Sequence, residues 1–283
     1  MRFRVGFWLL FWLYALPLFG QDTPSSLAVR RERLVISAPV RLDSSWLTLS
    51  DVCLELSPDF AGEAAVVLDG DYRLSHCILR DVFIDGRKCQ TPGVAGVLGR
   101  ELSAACLDNV RVAATPGPGI VLEDVWNSEL LACQTMGCGT DGESSGLLLT
   151  SSAAAAAAKP FQGTNDVTVL GGRFESSAVQ ARLVDATHVK LIGVKLHGIP
   201  KQDNPRPLCE VIRPGQHILF RGVSTAWGAE PLVRLEWGRL QAAVSWDVTD
   251  GQWPLDKPRR VFAEEGVRPR GSSVRVLVSV PVE

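Results

Sequence analysis

The sequence predicts an all-β protein, a right-handed parallel β-helix (solenoid) of about eight coils with an N-terminal cap strand and a C-terminal arm. Three observations predict this fold class. A frame of two short alternating strands joined by a bend residue recurs along the chain, and a third strand precedes most copies. The composition, with 26 glycines and 17 prolines against two tyrosines and two methionines, favours strands and turns over long helices.

The bend residue of each copy is usually Asp, Asn or Gly. These residue types tolerate the left-handed backbone conformation that a sharp bend requires. Two clear copies, VTVLGGRF and VKLIGVKL, share a central glycine, and regular repetition of this kind is typical of solenoids. The predicted bend residues follow one another at steps of 22 to 37 residues and are Asp51, Asp81, Asn109, Gln134, Gly171, Gly193, Gly222 and Asp247.

Apolar residues keep a fixed spacing from the bend, so one face of each strand is expected to be buried. Two residues before the bend stand Leu49, Leu79, Leu107, Ala132, Val169, Leu191 and Phe220. Three residues after it stand Leu54, Ile84, Val112, Phe174 and Leu196. The strands that precede the pairs are predicted at 64–70, 95–100, 119–124, 146–151, 180–186, 209–214 and 232–237.

Between Trp46 and Asp250, this strand–bend–strand frame resembles the right-handed parallel β-helix of the pectin-lyase-like superfamily. The resemblance implies that successive coils stack strand on strand in parallel, about 4.8 Å apart. In many enzymes of this fold, the site for acidic polysaccharides lies on the outer face of the first strand of each coil. The NTD, paired-Asp, GHG and RIK motifs of those enzymes do not accompany the frame, so the resemblance concerns the fold.

Four segments are predicted along the chain: a signal peptide at 1–20, an N-terminal cap at 21–45, the β-helix at 46–253, and a C-terminal arm and strand at 254–283. Two arginines precede an apolar run of fifteen residues, which is short for a membrane span and typical of a signal peptide. The chain is therefore expected outside the cell, in a periplasm or on the cell surface, with no membrane span after cleavage. The alternative is an uncleaved N-terminal anchor.

The net charge of −2 gives no basic field, so nucleic acid is not an expected partner. Seven cysteines, an odd number, could be oxidised in part after export. Their spacing lacks the paired CxxC motifs of a structural zinc site, which favours packing as small apolar residues. No cofactor is evident, although calcium would be expected if the chain were a lyase.

Two segments interrupt or follow the repeat. The alanine tract at 153–158 lies in an insertion and could form a short helix or a surface loop. The final apolar segment at 274–282 is predicted as a strand that folds back along the cylinder or pairs with another chain.

The outer face of the first strand can be inferred from alternation. With Leu68, Leu98, Leu122 and Leu149 placed inward, the carboxylates of Asp69 and Glu123 point outward. They are candidate outer-face carboxylates. The segment shows neither the clustered carboxylates of a calcium-assisted lyase nor the facing pair of a glycosidase.

A second group of candidates stands five residues before the bend, where the second strand begins. Glu129, Asp166, His188 and His217 hold this place in four consecutive coils, and His76 holds it earlier. Stacking would align them about 5 Å apart, as a polar ladder or as ligands of a transition metal. Alternatively, they cap the turn before this strand through backbone hydrogen bonds.

Tryptophans are concentrated in the last third of the chain. Trp227 and Trp237 are candidates for stacking on sugar rings, together with neighbours at 246 and 253. The alternative is that these rings complete the core or cap the end of the stack.

Three functions remain open from the sequence. The first is a secreted, non-enzymatic module that interacts with carbohydrate or belongs to the cell surface. The second is a polysaccharide-active enzyme (lyase, hydrolase or epimerase) of the pectin-lyase-like type. The third is an adhesin or spike, which would be a homotrimer rather than a monomer.

Overall fold

A computed structural model of the chain describes residues 33–139, 144–158, 162–199, 206–226, 231–248 and 261–278. In these segments the strands form three all-parallel sheets, which we number by the order in which each coil enters them. Sheet 1 contains Val40–Leu42, Ala64–Leu68, Ala95–Arg100, Ile120–Glu123, Ser145–Thr150, Val179–Val184, Cys209–Ile212, Val233–Glu236 and Phe262–Glu265. The prediction of an all-β parallel β-helix is confirmed.

Sheet 2 follows sheet 1 in each coil, and sheet 3 follows sheet 2. Sheet 2 contains Thr48–Ser50, Leu74–Ser75, Ile78–Arg80, Leu102–Ser103, Cys106–Asp108, Trp126–Leu131, Asn165–Leu170, Thr187–Ile192, His217–Arg221, Ala243–Val248 and Ser273–Val278. Sheet 3 contains Arg33–Ile36, Cys53–Leu56, Phe83–Asp85, Arg111–Ala113, Gln134–Met136, Arg173–Glu175, Lys195–His197 and Ser224–Ala226.

The bends between sheets 2 and 3 lie along a single edge of the stack. Each bend residue has a positive φ, and its backbone N–H donates to a strand carbonyl of the next coil. For example, Asp81 donates to Asp108 at 2.9 Å, and Gly193 donates to Arg221 at 2.8 Å. The residues that occupy this edge are Asp51, Asp81, Asn109, Ala132, Gly171, Gly193 and Gly222.

Two predicted bend residues were wrong. In the fourth coil the bend is Ala132, with φ 51°, and not Gln134, which lies in the following strand. The inward residue two positions earlier is therefore Leu130, which is fully buried. Asp247 lies within a strand opposite Arg221 rather than at a bend. Alanine pays a steric cost at positive φ that Asp, Asn and Gly largely avoid, so its type gave no signal of a bend.

The core consists of columns of inward side chains, one in each sheet, and most of these side chains are apolar. The column of sheet 2 consists of Leu49, Leu79, Leu107, Leu130, Val169, Leu191, Phe220 and Trp246, each opposite the next. The rings of Phe220 and Trp246 stack at 4.8 Å near the C-terminal end. These columns merge into one buried cluster, and truncation of such side chains typically costs about 2–5 kcal/mol.

The inner and outer faces of sheet 1 differ from prediction in one coil. Leu98 points outward and Val97 inward, because Leu98 lies opposite Val67 and Val121. Leu98 belongs to a second buried apolar cluster, separate from the main core, whose members are Ala64, Val67, Ala95, Leu98 and Val121. Because consecutive residues of this strand are apolar on both faces, the sequence alone does not show which of them point inward.

The stack extends beyond the predicted limits of 46–253 at both ends. Arg33–Ile36 and Val40–Leu42 pair in parallel with the strands that follow them, so part of the predicted cap belongs to the first coil. Phe262–Glu265 and Ser273–Val278, within the predicted arm, add strands to sheets 1 and 2. The final strand therefore continues the solenoid rather than folding back along it.

The alanine tract forms the helix Ala153–Ala158, and the Ser152 hydroxyl caps it by accepting from the backbone of Ala155 at 3.2 Å. None of the seven cysteines, all of which lie in the described segments, forms a disulfide. Within the described part of the chain, no helix has the length and apolar character needed to cross a membrane. The predicted signal peptide lies outside the described residues.

Candidate functional site

An open groove of about 540 Å³ lies on the outer face of sheet 2. It runs across five consecutive coils, from the strand Trp126–Leu131 to the strand Ala243–Val248. We call it the sheet 2 groove. Its lining combines amides, a carboxylate, imidazoles, an ammonium group and a hydroxyl: Asn127, Asn165, Asp166, His188, Lys190, His217, Ile218, Leu219, Ala243 and Ser245.

The floor of the groove is one column of structurally equivalent residues. Strand register places Asn127, Asp166, His188, His217 and Ala243 opposite one another in successive coils. Three of the four predicted ladder residues therefore belong to this column. The fourth, Glu129, does not: it lies two residues further along its strand, level with Thr168. Its misplacement follows from the misassigned bend in the same coil.

The backbone explains the residue types of the column. Asn127, Asp166 and His188 have φ values of 46°, 53° and 51°, in the left-handed region. His76, which was also predicted for this position, has φ 56°. Asn, Asp and His are enriched there because their side chains tolerate this conformation. The need for a left-handed backbone conformation thus helps to explain why this column is polar. The polar side chains point outward, one above the other in successive coils.

Hydrogen bonds connect the groove side chains in pairs. Nδ1 of His188 lies 2.9 Å from Oδ1 of Asn165, and Nζ of Lys190 lies 3.2 Å from Oδ1 of Asp166. The rings of His188 and His217 are tilted by 31° with centroids 5.4 Å apart. Asn165 and Lys190 were missed from the sequence because they flank the repeated position rather than occupy it.

The arrangement is linear rather than convergent. Adjacent column residues are one strand spacing apart, and an ammonium group lies beside Asp166. Among the residues that the structure describes, no group of three or more His, Cys, Asp or Glu side chains is arranged to hold a metal ion. A line of donors and acceptors suits an extended polar ligand better than a single cation.

A smaller groove of about 230 Å³ adjoins the first towards the C-terminal end. It is lined by Gln216, His217, Gln241, Ala242, Ala243 and Gly271. Because His217 and Ala243 line both grooves, the two share a border. The polar surface therefore continues past the sheet 2 groove.

The predicted carboxylates of sheet 1 meet at a different place. Asp69 and Glu123 lie on either side of Arg100, at 3.4 and 3.8 Å, and Glu63 binds the same guanidinium at 2.7 Å. We call these four residues the Arg100 cluster. Burial raises the pKa of Glu123, and nearby Asp124 raises it further. The hydrogen bond from Arg100 lowers the pKa of Glu63.

Of the two tryptophans predicted to stack on sugar rings, Trp237 lies within the described residues and Trp227 does not. Trp237 is only 7% exposed, and its Nε1 donates to Oε2 of Glu264 at 2.8 Å, so its ring offers no open face for a sugar. Trp246 is buried in the core, and Trp227 and the tryptophan at 253 lie outside the described residues. An exposed ring that sequence reasoning missed is Trp46, 71% exposed and stacked on His76 at 3.9 Å.

No family model and no curated protein matches this sequence. Among solved structures, the A-module of a mannuronan C-5 epimerase of Azotobacter vinelandii aligns with a TM-score of 0.46 and 11% identity, covering 90% of this chain and 92% of that one. A likeness at that level carries no inference about activity.

Proposed function

We propose that this chain is an exported, non-enzymatic module that binds carbohydrate in the sheet 2 groove. The observation that carries the proposal is the line of neutral and charged hydrogen-bonding groups along an open surface. Sugar hydroxyls donate and accept, and they require partners of both kinds. Amides at Asn127 and Asn165, imidazoles at His188 and His217, and the ammonium of Lys190 provide them.

A glycan array followed by calorimetric titration tests this proposal. We expect wild-type protein to bind, and Lys190→Met to weaken the affinity about tenfold, because it removes a charged donor from the groove. Lys195→Met is the matched control, since Lys195 lies exposed on the outer face of sheet 3. Equal effects of the two substitutions, or an empty array, would contradict the proposal.

A polysaccharide-active enzyme is the second candidate, and the Arg100 cluster favours it. A carboxyl group with a raised pKa beside a second carboxylate and a guanidinium is the kind of arrangement that acid–base catalysis uses. The test is release of unsaturated or reducing sugars, with and without calcium. Activity that Glu123→Gln abolishes and Glu129→Gln preserves would establish the enzyme and displace the non-catalytic proposal.

The proposed export and oligomeric state need separate measurements. We expect cleavage after Gly20, detected by mass spectrometry of the secreted protein. A monomer on size-exclusion chromatography with light scattering fits a binding module. A trimer would instead favour the adhesin or spike.

A further inference from the structure

Trp46 is unusual among the described tryptophans because its ring is open to solvent. The side chain is 71% exposed, whereas Trp237 and Trp246 are 7% and 1% exposed and Trp126 is partly buried with the Arg73 guanidinium over its ring. Its indole lies flat on the imidazole of His76, with centroids 3.9 Å apart and an interplanar angle of 2°. Tryptophan is usually well buried, so an exposed ring held by a neighbour requires an explanation.

The backbone at Trp46 is also unfavourable for a large side chain. Its φ is 66°, in the left-handed region, which costs a bulky residue about 1–3 kcal/mol. Glycine or asparagine would fit this conformation with less strain. Trp46 is not a member of the apolar core, so core packing does not account for its presence.

Trp46 begins the same column that forms the floor of the sheet 2 groove. Its backbone N–H donates to the carbonyl of Ser75 at 2.9 Å. In the same way, the backbone N–H of His76 donates to Ser103 and that of Ala104 donates to Trp126. Trp46, His76 and Ala104 therefore occupy the three coils before Asn127. At one strand spacing per coil, Trp46 lies about 14 Å from Asn127 along the helix axis.

We infer that Trp46, supported by His76, is a second sugar subsite, and that the ligand is a chain of pyranose sugars long enough to reach from the groove to the open face of the Trp46 ring. This inference rests on the proposed function. His76 covers the indole face that is turned towards the groove, so the C–H groups of a pyranose would pack against the opposite, open face, while the groove binds the hydroxyls of other units. Between the two regions, Ala104 adds only a methyl group to the column.

The length of the ligand separates the two subsites experimentally. We would titrate the protein with β-1,4-linked gluco-oligosaccharides and with oligogalacturonates, each from disaccharide to octasaccharide. Affinity is expected to rise with length until the chain reaches from the groove to Trp46. Trp46→Gly should weaken binding of the longer chains about tenfold and leave the shorter ones unchanged, while Trp46→Phe should retain most of the gain.

Trp46→Gly is suited to this test because glycine matches the backbone conformation. Its melting temperature should equal or exceed that of the wild type, so a loss of affinity cannot be attributed to misfolding. If Lys190→Met weakens binding while Trp46→Gly leaves every chain length unaffected, the second subsite is disproved and the groove stands. If no carbohydrate binds the wild type, in these titrations or on the array, the proposed function fails, and the inference fails with it.

Discussion

The ammonium group of Lys190 lies 3.2 Å from the carboxylate of Asp166, on the adjacent strand of sheet 2. Both side chains are nearly half exposed, at 45% and 48%, so the pair contributes little to folding. Asp166→Asn should lower the free energy of unfolding by less than about 1 kcal/mol. It should weaken carbohydrate binding several-fold, because Lys190 loses the partner that orients it. A large drop in stability measured by urea unfolding would show that the pair is structural.

Adjacent glycines at one bend provide a matched comparison. Gly171 has φ 64° and open space where the β-carbon of a larger residue would lie, so Gly171→Ala should cost only the conformational penalty of about 1–2 kcal/mol. Gly172 has φ 87°, and a β-carbon there would collide with the carbonyl of Cys133. Gly172→Ala should therefore destabilise the protein more than Gly171→Ala in urea titrations. The reverse order would contradict the described course of this edge.

A buried hydroxyl offers a route to a more stable protein. Thr135 occupies the inner column of sheet 3 between Val112 and Phe174 and is 1% exposed. In the part of the chain that the structure describes, its Oγ1 has no hydrogen-bond partner. Thr135→Val keeps the shape and removes the unsatisfied group, so we expect a gain of about 1–2 kcal/mol by thermal or urea unfolding. Thr225→Val, in the same column but partly exposed, should change stability less.

The carboxylate of Asp85 makes stability depend on pH. It is 2% exposed and accepts hydrogen bonds from Arg87 and Arg33, and the bonded Arg87 lowers its pKa. Its contribution is therefore fully present above the unfolded pKa of about 4 and is lost as the pH falls through the lower folded pKa.

Asp85→Asn should accordingly cost about 1–3 kcal/mol at pH 7, and its stability should converge with that of the wild type in strong acid. Asp108→Asn is the control, because Asp108 pairs with Arg80 at a more exposed site. A constant difference between Asp85→Asn and wild type at every pH would contradict the assignment.

The cysteines should be unreactive in the native protein. Five are buried, and only Cys53 and Cys106 are partly accessible. Burial raises the pKa of Cys133 to about 12 and also raises the pKa of Cys209, so little thiolate forms at neutral pH. A thiol reagent should modify at most two cysteines before unfolding and seven in denaturant. More than two fast-reacting thiols would mean that the core opens readily.

How much of this structure the sequence predicts depends on how strictly a residue type follows its backbone. The bends at Asp81, Asn109 and Gly193 were predictable because these types suit a left-handed conformation. Ala132 carries no such signal. The misassigned bend in that coil put Glu129 into the predicted ladder in place of Asn127.

The site was partly predictable for the same reason. The column through Asp166, His188 and His217 was visible as a repeated polar position. Lys190 and Asn165 were not, since only strand register reveals that they face the groove. Trp46 is the clearest omission: its residue type contradicts its backbone, and such conflicts between local preference and structure are concentrated at functional sites.

The backbone N–H of every bend residue between sheets 2 and 3 donates to the following coil in the same way, whether the residue is Asp, Asn, Ala or Gly. The junction between two circuits therefore does not depend on which circuits meet. Tandem duplication or excision of one complete circuit would leave the new junction correctly bonded along this edge. Descendants of this chain could thus lengthen or shorten their outer surface in increments of about 4.8 Å, the spacing between neighbouring strands.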